Sequence, residues 1–422
     1  MKHLTLLIAA AAVVSGCSGS GSGKPQLSEN TTIDVAGALA ATEDLKVSDL
    51  GSKIHYIPLE TNDSSLIGDR MAVKAEKDLI IFYPSINFGN ATNPLPAFSI
   101  NDGTFKGLIG HSGQDPEAFR YPTPCISSDG NNVYFINPNW AIAGYNADGM
   151  FDKIYDTPAR LALGYVNDKT VGAIEKAGAG QRSRKIYTFQ LGDTIADTTL
   201  LLQSIPTMPM PSNDKINMVT VRLVTTAFPN AYQTVGNMEF NTTDGIIRMI
   251  TTPDYLYRIN DDVHYASLLC DTIYNIDSNA DPTPAYIFNM GEGHVPMAEQ
   301  ISHNYTSSDH LLSGIIETPT LILFGITSGM FLKDEEKVNL GVFDKRTGTT
   351  RMLPAGKNFT DDLSGTPLPF NPVTATSDGK LIGLLTLEDM DKWREENPDA
   401  KIPAWMDALD EDANPVLVVI EP

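Results

Sequence analysis

The sequence predicts an all-β chain, and three observations carry that expectation. Short apolar runs of strand length recur from about residue 53 to residue 420. Gly/Asn/Asp turns of hairpin type separate them. The turns form two alternating series, so that the strands fall into sets of four at spacings of roughly 45–75 residues. A four-strand unit repeated in this way is the sequence pattern of a β-propeller, a ring of radial sheets.

The first elements are not part of that ring. Lys2 begins a leader whose apolar stretch, Leu4 to Val14, is too short to span a bilayer. Val14-Ser15-Gly16-Cys17 then has the form of a bacterial lipobox, with Cys17 as the acylated first residue, and "SGSGSG" follows as a flexible leash. The expected organisation is a signal peptide over 1–16, a tether over 17–32 and one propeller domain over 33–422.

The opening strand, "KIHYIPLE" from Lys53, has no hairpin partner close by in the sequence. Paired outer strands follow at 98–109, 144–155, 187–202, 272–288 and 341–353. Tight polar turns mark the two inner strands of each unit: "EKD" at 76–78, "DGN" at 129–131, "NDK" at 167–169, "TTDG" at 242–245, "ETPT" at 317–320 and "SDGK" at 377–380. With strands A to D numbered outward, there are six A–B turns and five C–D hairpins. The sixth unit has its A and B strands near 372–386, a third strand in "PVLVVI", and then ends. "KIHYIPLE" supplies its missing outer strand. The prediction is a six-bladed β-propeller whose last blade is completed by the N-terminal strand, with Tyr56 and Leu59 beside Val416, Val418 or Ile420. A small helical insertion is expected near 387–413, where Trp393 and Trp405 pack it onto the disc.

The segments "IHYIPLETNDSSLIGD", "GHSGQDPEAF", "DTIYNI", "FDKRTG", "DDLSG" and "NPVLVVIE" carry a family resemblance. In this order they resemble the six-bladed β-propeller lipoproteins of Bacteroidetes, which are related to NHL-type propellers. The glycine-rich loop departs from the family's GxGPGEY-like pattern, reading Gly113-Gln114-Asp115-Pro116-Glu117-Ala118-Phe119 here. The resemblance implies an envelope location; with the lipobox it points to a lipid anchor in the outer membrane. The "SGSGSG" after Cys17, without the acidic run that the phylum often uses for surface export, favours the periplasmic side over the cell surface. It implies no particular activity.

Composition narrows the partners. With 42% hydrophobic and 19% charged residues, the chain is not of the disordered class. A net charge of −22 disfavours nucleic acid and anionic membrane surfaces. After Cys17 only Cys125 and Cys270 remain, both in apolar strand-like runs, where an unpaired thiol is expected.

Loop lengths point to the working face. A–B and C–D turns are short, whereas B–C and D–A connections are long and share the opposite face. The expected ligand-binding residues lie there: Trp140, Arg182, Tyr255 and Tyr257 in B–C connections, and Arg120, Tyr121, His294 and His303 in D–A loops. Catalytic motifs fall away on inspection. "GHSGQ" lacks the final glycine of a nucleophile elbow and runs into Pro116. "DSNAD", 277–281, lacks the glycine and glutamate of a calcium loop, and His294, His303 and His310 are spaced too widely for a helical zinc site. No cofactor, metal site or catalytic residue is assigned. The favoured function is a membrane-tethered binding or scaffold module for a glycan, a peptide or an envelope protein. The alternative is an envelope enzyme, either a glycan-acting hydrolase or lyase or a metal-dependent NHL-type lyase, working at the channel mouth.

Overall fold

In the computed structural model, residues 31–68, 71–84, 94–175, 183–202, 216–223, 228, 236–243, 245–251, 254–267, 271–276, 282–296, 305–330, 332 and 335–422 are described. They hold five antiparallel sheets of four strands and a sixth in which four antiparallel strands carry a fifth at the outer edge, joined in the simple order expected of a propeller. The inner strands are Met71–Glu76, Cys125–Ile126, Leu161–Asn167, Asp254–Ile259, His310–Glu317 and Pro372–Ala375, for blades 1 to 6. Together they line one central channel.

The period-2 geometry of a strand explains why these sheets stand radially. Successive side chains point to opposite faces, and here both faces are apolar, so each blade must be covered on both sides. In blade 6, Val416, Val418 and Ile420 enter the seam with blade 5, while Leu417 and Val419 enter the seam with blade 1. In blade 1, Val73, Ile80 and Phe82 face blade 6, whereas Ala72, Leu79 and Ile81 face blade 2. The remaining seams repeat this arrangement, giving an apolar cluster between every pair of neighbouring blades. The ring is therefore a closed series of two-sided sheets.

Closure occurs as the sequence predicts. Lys53–Pro58 is the outer strand of blade 6 and pairs antiparallel with Val416–Glu421, with Tyr56 opposite Val418. Leu59 differs from expectation: it lies one residue past the strand and packs with Leu417 and Val419 in the other seam. Helices Leu387–Glu396 and Ala404–Asp407 form the expected insertion. Trp393 is buried and donates its indole N–H to the Pro367 carbonyl at 3.0 Å, while Trp405 stacks on Tyr56 at 5.0 Å. Both tryptophans fasten the insertion to the disc.

Blade 4 corrects the sequence reading. Its A–B turn is Asn260–Asp261, between Asp254–Ile259 and Asp262–Ser267, and "TTDG" belongs elsewhere. The latter joins Gly236–Thr242 to Gly245–Thr251 in a separate three-stranded sheet with Ile216–Leu223. Asn260 adopts φ +54°, and Lys77 and Asp168 at the matching turns of blades 1 and 3 adopt φ +54° and +51°. Two-residue hairpins demand such left-handed backbone, which Asn and Asp tolerate best. Tyr255 and Tyr257 are consequently inner-strand residues, not loop residues.

The chain before Lys53 also has more structure than expected. Thr32–Ile33 adds a parallel fifth strand to the outer edge of blade 4. Helix Val35–Ala40, N-capped by Asp34, then packs against blade 5. Farther on, Asp49 binds Arg351 at 2.9 Å and Ser48 donates to Asp362 at 2.7 Å. This segment shields otherwise open strand edges.

Candidate functional site: the central channel and its mouth

The channel encloses about 740 Å³ and receives residues from the inner strands of all six blades. A volume of that order is typical of small-molecule sites. Because each inner strand runs from a D–A loop to an A–B turn, the channel has one end among the long connections and another among the tight turns.

Polar contacts between blades stitch the turn end. Glu76 of blade 1 accepts from the Ser377 hydroxyl at 2.7 Å and from its backbone N–H at 3.2 Å, across the closing seam. Burial still raises the Glu76 carboxyl above its usual range, even though both Ser377 hydrogen bonds pull it down. Ser128 donates to Asn167 at 2.6 Å between blades 2 and 3.

The seam between blades 4 and 5 is built around Glu317, whose side chain is fully buried. The Tyr257 hydroxyl donates to its Oε2 at 2.6 Å, His264 Nδ1 lies 3.0 Å from the same oxygen, and Lys345 Nζ reaches Oε1 at 2.5 Å. Burial alone would raise the Glu317 carboxyl. The hydrogen bond and charge of His264, then those of Lys345, outweigh it and hold the group below the usual carboxylate range. Tyr257 is driven well above a normal phenol by burial and by the Glu317 charge. Each member of this network has a partner inside it, so it holds the fold together and presents little to a ligand.

The long-loop mouth is different. The Arg120 guanidinium lies 4.5 Å from the Trp140 ring centroid and 5.7 Å from that of Tyr121. Tyr121 meets Trp140 edge-on at 6.3 Å, and Arg160 lies over Trp140 at 5.4 Å. Arg120, Tyr121 and Arg160 are all exposed, and Tyr121 also lines the channel.

The shelf is built by a short turn. Asn137 Oδ1 accepts from the backbone N–H groups of Asn139 and Ala141, and its Nδ2 donates to the Pro116 carbonyl. Trp140 is held at φ +67°, with its carbonyl bound by Thr157. Left-handed backbone at a bulky residue costs about 1–2 kcal/mol and tends to mark working positions.

Of the residues singled out from sequence, Arg120, Tyr121 and Trp140 thus come together. Tyr257 belongs to the Glu317 network, and Tyr255 to the channel wall. His294 is half-buried beside blade 5, bridged to His310 through the backbone. Burial lowers its imidazole below the usual range, against the opposing charge of Asp271. Cys17, Arg182 and His303 lie outside the described residues, as do Cys270 and "DSNAD". Cys125 is a free buried thiol, and "GHSGQ" forms a turn in which His111 Nε2 lies 3.0 Å from Asp115. Among the described residues no group of three His, Cys, Asp or Glu side chains is placed to hold a metal. Sequence reasoning missed Arg160, which follows a proline-containing loop, and it also missed Lys74, Glu76, Glu317, His264 and Lys345. A charged residue within an apolar inner strand, as in "MAVKAE" and "HLLSGIIE", was the available signal.

Radial sheets around a lined channel define a β-propeller. The chain belongs to the family described as a domain of unknown function (DUF4934), whose model matches residues 30–421. No curated protein matches it. Among solved structures it is similar to a Bacteroides fragilis NCTC 9343 protein inferred to be exported. That match has 14% identity and a TM-score of 0.46, covering 92% of this chain and 98% of that one. It is also similar to U3-55K (11% identity, TM-score 0.37, covering 89% and 99%). A puromycin hydrolase matches at 14% identity and a TM-score of 0.34, with 78% of this chain and 52% of that one covered. No activity is carried across from these proteins. Among the described residues no helix is long and apolar enough to cross a membrane.

Proposed function

We propose that this protein is a binding module of the bacterial cell envelope, tethered through an acylated Cys17 and holding a glycan, peptide or protein partner at its long-loop mouth. The observation that supports this reading best is the cluster of Arg120, Tyr121, Trp140 and Arg160, an exposed patch at the opening of a ligand-sized channel. Such aromatic and arginine side chains dominate binding energy where partners meet. The leader, the lipobox and the resemblance to Bacteroidetes lipoproteins favour the outer membrane, with the propeller in the periplasm.

Two measurements test it. Mass spectrometry of the membrane fraction should find an acylated peptide beginning at Cys17; a soluble protein with another N-terminus would remove the tether. The purified propeller, screened on glycan and peptide arrays, should retain ligands that Trp140→Ala releases with about a tenfold loss of affinity. Ligands bound equally by the Trp140→Ala chain would place recognition elsewhere.

A further inference from the structure

Lys74 lies on the inner strand of blade 1 and lines the channel. Its side chain is exposed to the space of the channel, where desolvation by the surrounding walls pulls its ammonium below the ordinary lysine range. Among the described residues, Cys125 is the only ionisable group that acts on it in return. Cys125 supplies no charge at neutral pH, because burial pushes its thiol up to about 12.

The carboxylates that line the channel are already engaged, Glu76 by Ser377, Glu317 by Lys345 and His264, Asp254 by Tyr265 and Glu175 by Lys185. No described residue forms a hydrogen bond or ion pair with the Lys74 ammonium. Arg120 and Arg160 at the mouth likewise form no ion pair with a described residue, and stacking over Trp140 leaves most of their N–H donors unused. In a chain with 52 acidic and only 30 basic residues, the long-loop mouth thus presents two cations without a carboxylate and the channel wall a third. An ammonium that faces a partly desolvated channel with no carboxylate bound to it is well placed to meet an anion. Stacked guanidiniums are suited to receiving a carboxylate.

We infer that the channel seats an anionic ligand, a small carboxylate or the carboxylate-bearing end of a longer chain, which passes Arg120 and Arg160 and ends on the Lys74 ammonium. This rests on the mouth being a binding surface and specifies what enters it.

The test uses the full mature chain with glutarate and tri-galacturonate as acidic probes, and glutaramide and galactotriose as their neutral counterparts. Two readouts are taken together: tryptophan fluorescence, compared with Trp140→Phe to isolate the mouth, and the rate of acetylation of each lysine by peptide mass spectrometry. Saturating acid should slow Lys74 acetylation about tenfold or more while leaving exposed lysines unchanged, and the neutral compounds should not. Protection by glutarate identifies a free small acid; protection by the trimer alone identifies the end of a chain. Lys74→Met should melt at or above the wild-type temperature and bind the acid about 10- to 100-fold more weakly.

A fluorescence change without protection of Lys74 would overturn the inference and leave the mouth intact as a binding surface. Neutral probes that bind as well as acids would overturn it too, as would the failure of both acids to bind. So would a Lys74→Met chain that melts several degrees lower, because the ammonium would then have a partner within the fold.

Discussion

Replacing Glu317 with glutamine removes one charge from a network centred on a fully buried carboxylate. The glutamine keeps an oxygen for Tyr257 but leaves the Lys345 ammonium, only 11% exposed, without its carboxylate. Breaking a buried pair from one side costs about 3–5 kcal/mol. Unfolding entropy near 60 °C is about 2.1 cal/mol/K per residue, or about 0.8 kcal/mol/K over the matched span 30–421, so Tm should fall by about 4–6 °C. Scanning calorimetry at pH 7 measures this directly. Adding Lys345→Met removes the stranded charge and should restore most of the loss, since buried pairs are often replaceable by apolar groups of similar size.

The same network sets the pH dependence. The Glu317 carboxyl lies below its ordinary value of 4.5 in the folded chain. A depressed carboxylate contributes stability that is fully present above the unfolded pKa and is lost as pH falls through the folded one. The Tm gap between wild type and Glu317→Gln should therefore be full at pH 7 and narrow only below about pH 4.5. An unchanged Tm in the single variant, or a gap that widens in acid, would refute the assignment of Glu317 as the ionised centre of this seam.

Three further outcomes follow from the packing. Cys125, with its thiol pushed up to about 12, should resist alkylation at pH 8 in the native protein and react once guanidinium unfolds it; rapid native labelling at that position would contradict its burial. Asn414 binds the Ile67 N–H and the Glu60 and Ser65 carbonyls, so Asn414→Ala should lower stability by about 1–3 kcal/mol in denaturant unfolding, and a smaller change would mean that the 59–68 loop is held by other contacts. Deleting 416–422 removes five buried apolar residues worth about 1.5–3 kcal/mol each, a sum comparable to the whole stability of a domain, and should abolish cooperative melting. A truncated chain with wild-type melting would show that the ring closes without this strand.

Closure was legible in the sequence because Val416–Ile420 is apolar on both faces and "KIHYIPLE" lacks a near neighbour to pair with. Only a sheet between two others satisfies both facts. Blade 4 was misread for a local reason. Gly245–Thr251 is as apolar and as strand-like as Asp254–Ile259, and each is followed or preceded by a plausible turn. The repeat of left-handed turn residues, Lys77, Asp168 and Asn260, separates the two, but backbone φ is not visible in composition. The short strand Thr32–Ile33 was missed because two residues cannot show a period. Arg120, Tyr121 and Trp140 could be collected from loop position alone. Lys74 and Glu317 could not, because an inner strand acquires its channel side only when six blades close around it.

That closure also decides how charge acts in this protein. A net charge of −22 repels an approaching anion over the surface as a whole, but at about 0.15 M salt that repulsion fades within roughly 8 Å. Contacts inside a narrow, protein-walled channel are screened far less. Recognition of a carboxylate by Lys74 is thus local, whereas the repulsion is global, and ionic strength separates the two. Moderate salt should speed association of an acidic ligand by weakening the repulsion and should change its dissociation little. A purely surface-held anion, resting on Arg120 and Arg160 alone, would instead dissociate faster as salt rises. The salt dependence of the two rate constants therefore reports how far into the ring the ligand reaches.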